Sequence, residues 1–353
     1  MISDLVRENI KKLKPYTCAR DLYSNGILLD ANENSLGSSI TEFESLNLNR
    51  YPDPHQEDLK DLVCGHLGFD KENIFFGVGS DEIIDLTVRI FCEPQKDTAI
   101  IVEPTYGMYK VACDINNVET KRALLNKNFQ IDIDGIKKVF DETVKLIFLC
   151  SPNNPTGNLL TKETILKVCD TFNCAVFVDE AYIDFAGREG SVAWNVKDRP
   201  NLIVSRTFSK AWGLAAIRLG YCIADKSITD YFFKVKAPYN INILTRYALQ
   251  KAFDNSERKN NFVSSLISER DSLILSLKKM EKISAVFPSD ANYVLFKCPN
   301  ASKVQKELAS EGVIIRDRSG QVLLEDCLRV SIGAKEENEI FLSKLASVLN
   351  NIN

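Results

Sequence analysis

The chain has 353 residues, 45% hydrophobic and 26% charged, and its 44 basic against 48 acidic side chains leave a formal charge of −4. That length can bury a large core spread over two or three packed units. The near-balanced charge leaves no footprint for nucleic acid or an anionic membrane as partner.

The opening residues, MISDLVRENIKKLKPY, alternate charge with apolar side chains, so they read as neither a signal peptide nor an anchor. No run is long enough to span a bilayer. Apolar runs then predict strands, in chain order, at NIFFG (73–77), TAIIV (98–102), KLIFLC (145–150), CAVFVDE (174–180), LIVSRT (202–207) and GYCIA (220–224). Segments of helical spacing lie between most of them, such as SDEIIDLTVRIFC (80–92) and TKETILKVCDTF (161–172). Short continuous strands separated by helices predict βα crossovers and a mostly parallel sheet covered on both faces. The expected fold is therefore a three-layer α/β domain over about residues 30–240. From 241 the rhythm changes: a long polar helix to about 281, then AVFPS, NYVLFKC, a helix near 301–311, GVIIRD, CLRVSIG and a closing helix. These predict a smaller α+β domain over 241–353, to which residues 1–29 are expected to return.

Ten cysteines include no C-x-x-C pair, and several sit in apolar runs (Cys150, Cys174, Cys222), as buried thiols do in a reducing cytoplasm. With only His55 and His66 available, a histidine-based metal site or a Ser-His triad is disfavoured, and no metal is expected. Open parallel sheets bind ligands beyond the carboxyl ends of their strands, so the residues just after each strand carry the argument. The first such turn is GVGSDE (77–82), where Ser80 or Asp81 starts a helix whose exposed amides suit a phosphate. Glu82 stands where a dinucleotide fingerprint needs a third glycine, which excludes the simplest NAD reading. PTYGMY (104–109) places Tyr106 at the same edge, as a ring to stack on a flat ligand or as plain packing. SPNNPTG (151–157) is a turn that brings in Asn154.

Asp179 ends an apolar strand, where a buried carboxylate demands a cation or donors, and Tyr182 follows it. SRTFSK supplies Thr207, Ser209 and Lys210, with Arg218 beyond. Lys210 follows a buried strand and precedes small apolar residues, a setting that favours the neutral, nucleophilic amine. It also fits a solvent-facing helix start capped by Ser209. Each residue alone is compatible with structure, but the set matches what pyridoxal 5'-phosphate requires. Lys210 is the amine, Asp179 the carboxylate for the ring nitrogen, and Asn154 with Tyr182 the donors to the phenolate oxygen. Tyr106 is the ring partner, and Ser80, Asp81 and Glu82 with Ser209 and Arg218 form the phosphate cradle.

The chain resembles the fold-type I pyridoxal-phosphate aminotransferases of the aspartate aminotransferase superfamily, and within them the histidinol-phosphate aminotransferase family. The resemblance runs nearly end to end, through LDANEN (29–34), NRYPDP (49–54), GSDE (79–82), SPNNPTG, VDEAYIDF (178–185), RTFSKAWGLAAIRLG (206–220), SDANYVLF (289–296), GVIIRDR (312–318) and LRVSIG (328–333). It implies amino transfer between L-glutamate and imidazole-acetol phosphate by a cytoplasmic homodimer with shared active sites. Lys210, Asp179 and Tyr182 would be catalytic, and Tyr51 would reach the cofactor phosphate of the neighbouring subunit. Arg329, helped by Arg316, would bind the donor carboxylate or the substrate phosphate, with Asn154, Asn32 and Glu33 also on the substrate. One departure is Ser35, where the family usually has proline, at the start of the substrate lid. Two alternatives remain: the same cofactor acting on another small phosphorylated substrate by amination or decarboxylation, and a non-catalytic binding protein that kept the fold.

Overall fold

A computed structural model describes residues 2–13 and 43–351. Seven strands form the large sheet: β1 (Ile74–Val78), β2 (Thr98–Glu103), β3 (Glu119–Leu124), β4 (Val144–Cys150), β5 (Ala175–Asp179), β6 (Leu202–Thr207) and β7 (Leu219–Ile223), in the order β1-β7-β6-β5-β4-β2-β3. Every pairing is parallel except those of β7 with β1 and β6. The reversal follows from the connection, because Phe208–Arg218 holds only a 3-10 turn (Ala215–Ile217), too short for the crossover a parallel strand needs.

Alternate strand residues feed two buried layers, as the period of two requires. Ile100, Val102, Ile147, Leu149, Val176 and Val178 face one layer. Ala99, Ile101, Leu146, Phe148 and Phe177 face the other. Each such side chain contributes roughly 1.5–3 kcal/mol by leaving water, which is what drives these runs into a covered sheet. The six expected strands are present, and β3 is the one that the apolar pattern does not reveal. Its sequence, ETKRAL, buries only Ala123, because an edge strand needs few apolar contacts and is protected by charge.

The small sheet is antiparallel, with β10 (Arg316–Asp317), β11 (Cys327–Ser331), β9 (Tyr293–Lys297) and β8 (Ala285–Val286) in that order. Helices Ser256–Lys278, Ala301–Ser310 and Lys335–Asn351 cover one face through Leu273, Val304 and Leu345.

Two expectations at the domain boundary change. The long helix expected over 241–281 is two helices, Ile243–Phe253 and Ser256–Lys278, and Leu249 and Phe253 of the first pack into the large unit. The described N-terminal residues lie on the large unit too, not on the small one. Val6, just before the helix Glu8–Lys12, and Ile10 within it join Phe91 and Phe232 in its core, and the Arg7 guanidinium bonds Glu93 at 3.0 Å. The units meet where Tyr182, Phe185 and Ala211 pack against Val263, Ala291 and Tyr293. Among the described residues no helix is long and apolar enough to cross a membrane.

Candidate active site

The parallel register brings the ends of neighbouring strands level: Asp179 pairs with Cys150 of β4 on one side and with Ser205 of β6 on the other. Beyond these ends lies a cavity of about 140 Å³. Asp179, Tyr182, Asn154 and Tyr106 line it, together with Thr207, Ser209 and Lys210 at the end of β6. Ser80, Asp81 and Arg218 close one side.

Asp179 is buried, and it accepts hydrogen bonds from the Tyr109 hydroxyl at 2.9 Å and the Ala181 amide at 3.0 Å. Burial pushes its carboxyl up to about 6, against the lowering effect of those two donors. A cationic ring beside it would be the missing partner, since a buried carboxylate is stabilised in its charged form by opposite charge. The surface Lys210 exposes lines this cavity, and its ammonium lies 5.7 Å from the Tyr182 ring centroid. Burial first, and then the positive charge of Arg329, hold its amine below the ordinary lysine range. A larger neutral fraction is what a nucleophile or proton carrier needs.

The helix Gly79–Phe91 points its amino end at the cavity, with Gly79 at φ +76°. A Cβ on Gly79 would lie 2.6 Å from the Arg218 guanidinium, and one on Gly220 2.6 Å from the Ser80 amide. These two glycines let β7 and Arg218 close on the helix terminus, leaving a cradle of backbone amides topped by a cation. The donor set fits a phosphate. Asp81 accepts from the Tyr106 hydroxyl at 3.2 Å and sits 3.6 Å from Arg218, which fixes the side of that cradle. The Thr207 and Ser209 hydroxyls bond each other at 2.9 Å in the cavity lining at the end of β6. With lysine, carboxylate, aromatic ring and cradle at one strand edge, the residues present fit pyridoxal phosphate.

The Glu82 side chain serves the loop itself. Its carboxylate accepts from the Val78 amide at 2.6 Å and from Asn240 at 3.1 Å, so only its backbone amide is left for the cradle. Asn154 is buried and accepts from Arg329 Nη1 at 2.6 Å, which ties the small sheet to the cavity. Arg316 lies opposite Arg329 in the ladder and is exposed. Tyr51 is not among the residues lining the cavity; it is 51% exposed and stacks on Tyr239 at 4.5 Å. Asn32, Glu33 and Ser35 lie outside the described residues.

The structure adds groups that the motifs did not single out. Tyr109, fully buried and stacked on Phe148 at 4.8 Å, is the main side-chain donor to Asp179. It is the last residue of PTYGMY, three after Tyr106, and that helical spacing was its only signal. Glu180 is buried against Arg206 at 2.9 Å and accepts from Ser191 and the Val192 amide, anchoring the turn after Asp179. Tyr293 donates to the Asn153 carbonyl at 2.7 Å and lies under the Arg329 guanidinium. Among the described residues no cluster of His, Cys, Asp or Glu is arranged to hold a metal.

Residues 24–345 match the family model described as aminotransferase class I and II. A curated histidinol-phosphate aminotransferase of Cytophaga hutchinsonii is 44% identical over 346 residues, 98% of each chain. One of Bacteroides thetaiotaomicron is 43% identical over 347 residues, again 98% of each. The solved histidinol-phosphate aminotransferase from Clostridium acetobutylicum superposes with a TM-score of 0.80 at 27% identity, over 87% of this chain and 92% of its own. A family match spanning most of the chain, on a fold whose strand ends carry the lysine, the carboxylate and the phosphate cradle, leads to one conclusion: the chain belongs to the class I and II aminotransferases.

Proposed function

We propose that the protein is a pyridoxal-phosphate-dependent aminotransferase of histidine biosynthesis. It exchanges an amino group between L-glutamate/2-oxoglutarate and imidazole-acetol phosphate/L-histidinol phosphate. The observation that carries the reaction type is the convergence of Lys210, Asp179 and the Arg218-topped helix terminus on one cavity. The choice of substrate rests on the near-full-length similarity to enzymes of that name.

When bound, pyridoxal phosphate supplies an electron sink that acidifies the Cα–H bond of an attached amine. Lys210 would hold that group and, once displaced, would move the proton between the substrate Cα and the cofactor's C4′ carbon, the shift that amino transfer requires. Asp179 keeps a proton on the ring nitrogen, and the Tyr109 hydroxyl and Ala181 amide hold its carboxylate in place. Asn154 and Tyr182 donate to the phenolate oxygen. The amides at Ser80 to Glu82, with Ser209 and Arg218, hold the phosphate. Arg329, Arg316 and Asn154, together with Asn32 and Glu33, bind substrate.

The active unit is a homodimer with shared sites, in the cytoplasm. The 51% exposure of Tyr51, stacked on Tyr239, supports this by placing its ring at the surface, where a neighbouring subunit can contact it. Mixing Lys210→Ala with Tyr51→Phe chains should restore activity through heterodimers that carry one intact site. No recovery under verified subunit exchange would leave Tyr51 acting in its own chain.

The substrate is tested with one preparation given histidinol phosphate, serinol phosphate and phosphoserine in the presence of 2-oxoglutarate. Glutamate should form fastest with histidinol phosphate. Preference for serinol phosphate, or release of CO2 from phosphoserine, would overturn the reading.

A further inference from the structure

One face of the small sheet adjoins the cavity through Arg329, whose Nη1 donates to the cavity-lining Asn154 at 2.6 Å. Arg316 and Arg329 stand opposite each other in the β10–β11 ladder, and the Arg318 amide continues that ladder by donating to the Cys327 carbonyl at 2.9 Å. Residues two apart share a strand face, so three guanidinium groups lie on one side. Asp317 between them turns to the other, accepting from Ser302 and from the Ser319 amide at 2.8 Å. Among the described residues none of the three arginines pairs with a carboxylate; Arg329 bonds only the neutral Asn154. Like charges facing one another across a ladder are destabilising, and buried cations require a partner.

Arg318 is the more enclosed of the two arginines flanking Asp317. Its Nε is buried with no hydrogen-bond partner, as is that of Arg329, whereas Arg316 is exposed. Burial and the charges of Arg329 and Arg316 hold its guanidinium below its ordinary value. The loop that follows is also incompletely satisfied: Gln321 donates to the Thr105 carbonyl at 3.3 Å, beside Tyr106, while Gln321 Oε1 and Ser319 Oγ are buried without partners. A phosphate monoester carries about two negative charges at neutral pH and accepts from several donors at once, which answers this deficit better than one carboxylate does.

We propose that Arg318 is a specificity-determining residue that binds the phosphate end of the substrate alongside Arg316 and Arg329, and so selects phosphorylated over unphosphorylated amines. This rests on the aminotransferase reading above. Charge rather than packing is what Arg318 contributes, so its removal should act on one substrate class.

The test compares histidinol phosphate with histidinol, both with 2-oxoglutarate, in the wild-type holoenzyme and in Arg318→Gln and Arg318→Lys. In Arg318→Gln, kcat/KM for the phosphorylated amine should fall about 10- to 100-fold, the size of one hydrogen bond to a charged group, mainly through KM. For histidinol the change should stay within about threefold, and Arg318→Lys should recover part of the loss because a phosphate accepts a point charge. Equal losses on both amines, or none on either, overturn the assignment. If the wild type itself does not favour the phosphorylated amine, the functional reading has failed separately. Inorganic phosphate then decides: its inhibition constant against glutamate rises about 10- to 100-fold in Arg318→Gln if Arg318 binds phosphate, and stays put if it does not.

Discussion

The carboxyl edge of the large sheet and the arginine face of the small one hold opposite kinds of site. At the large sheet most of the polar groups come with partners already in place, Ser205 Oγ excepted: Asp179 with Tyr109 and Ala181, Asp81 with Tyr106 and Arg218, Thr207 with Ser209. At the small sheet Arg318 and Arg329 keep buried nitrogens without partners. The first arrangement suits a group that stays through every turnover, held by a preorganised frame. The second suits ligands that come and go, since the cost of uncompensated charge is relieved only while an anion is bound. Large-sheet substitutions should therefore act chiefly on kcat, and small-sheet substitutions on KM.

The hardest test of that division is Lys210→Ala. Loss of the proton carrier should lower transamination by about 10⁴-fold or more, and borohydride reduction of the wild type should fix the cofactor on Lys210. Label on another lysine would break the assignment.

Asp179→Asn should cost several kcal/mol in the proton-transfer step, on the order of 10³-fold in kcat. Stability should move the other way in cofactor-free protein. The folded-state value of about 6 lies above the ordinary 3.8, so the native state binds the extra proton between these values and loses stability as pH rises through them. Above pH 6 the buried charge costs up to about 3 kcal/mol, and the Asn variant should unfold at higher temperature there but not at pH 4. A variant no more stable at pH 7 than the wild type would show that Tyr109 and Ala181 already compensate the charge.

Arg329→Lys sharpens the other half of the comparison. A point charge cannot reproduce a two-pronged guanidinium contact, so KM for glutamate should rise about tenfold or more with kcat less affected. An unchanged KM for both glutamate and the phosphorylated substrate would remove Arg329 from substrate binding.

The smallest effect is expected from Tyr109→Phe, which keeps the stack on Phe148 and deletes one hydrogen bond to Asp179. The carboxyl should titrate higher, shifting the acid limb of the kcat profile toward neutral pH, with kcat falling about tenfold at most. An unshifted profile would make Tyr109 a packing residue only.

Most of the residues that line the candidate site were legible in the chain because they are local. Glycine turns, an asparagine-proline loop and the polar residue that ends each apolar run sit at strand ends wherever the fold places those ends. Lys210, Asp179, Tyr106 and Arg218 were therefore readable before any geometry, and the mostly parallel sheet followed from strand and helix periods. Other features had no local signature. Strand β3 carries too few apolar residues to reveal itself, and the direction of β7 depends on what a short connection can reach. The Tyr109 to Asp179 bond joins residues 70 apart, and the docking of Val6 and Ile10 on the large unit depends on which apolar surface remained uncovered. Whether Arg316, Arg318 and Arg329 meet acids or one another is likewise decided across strands. The sequence by itself determined which chemical groups stand at which strand ends; only the tertiary structure decided which of them are paired and which are left for a ligand, because pairing depends on distances between segments that local pattern does not encode.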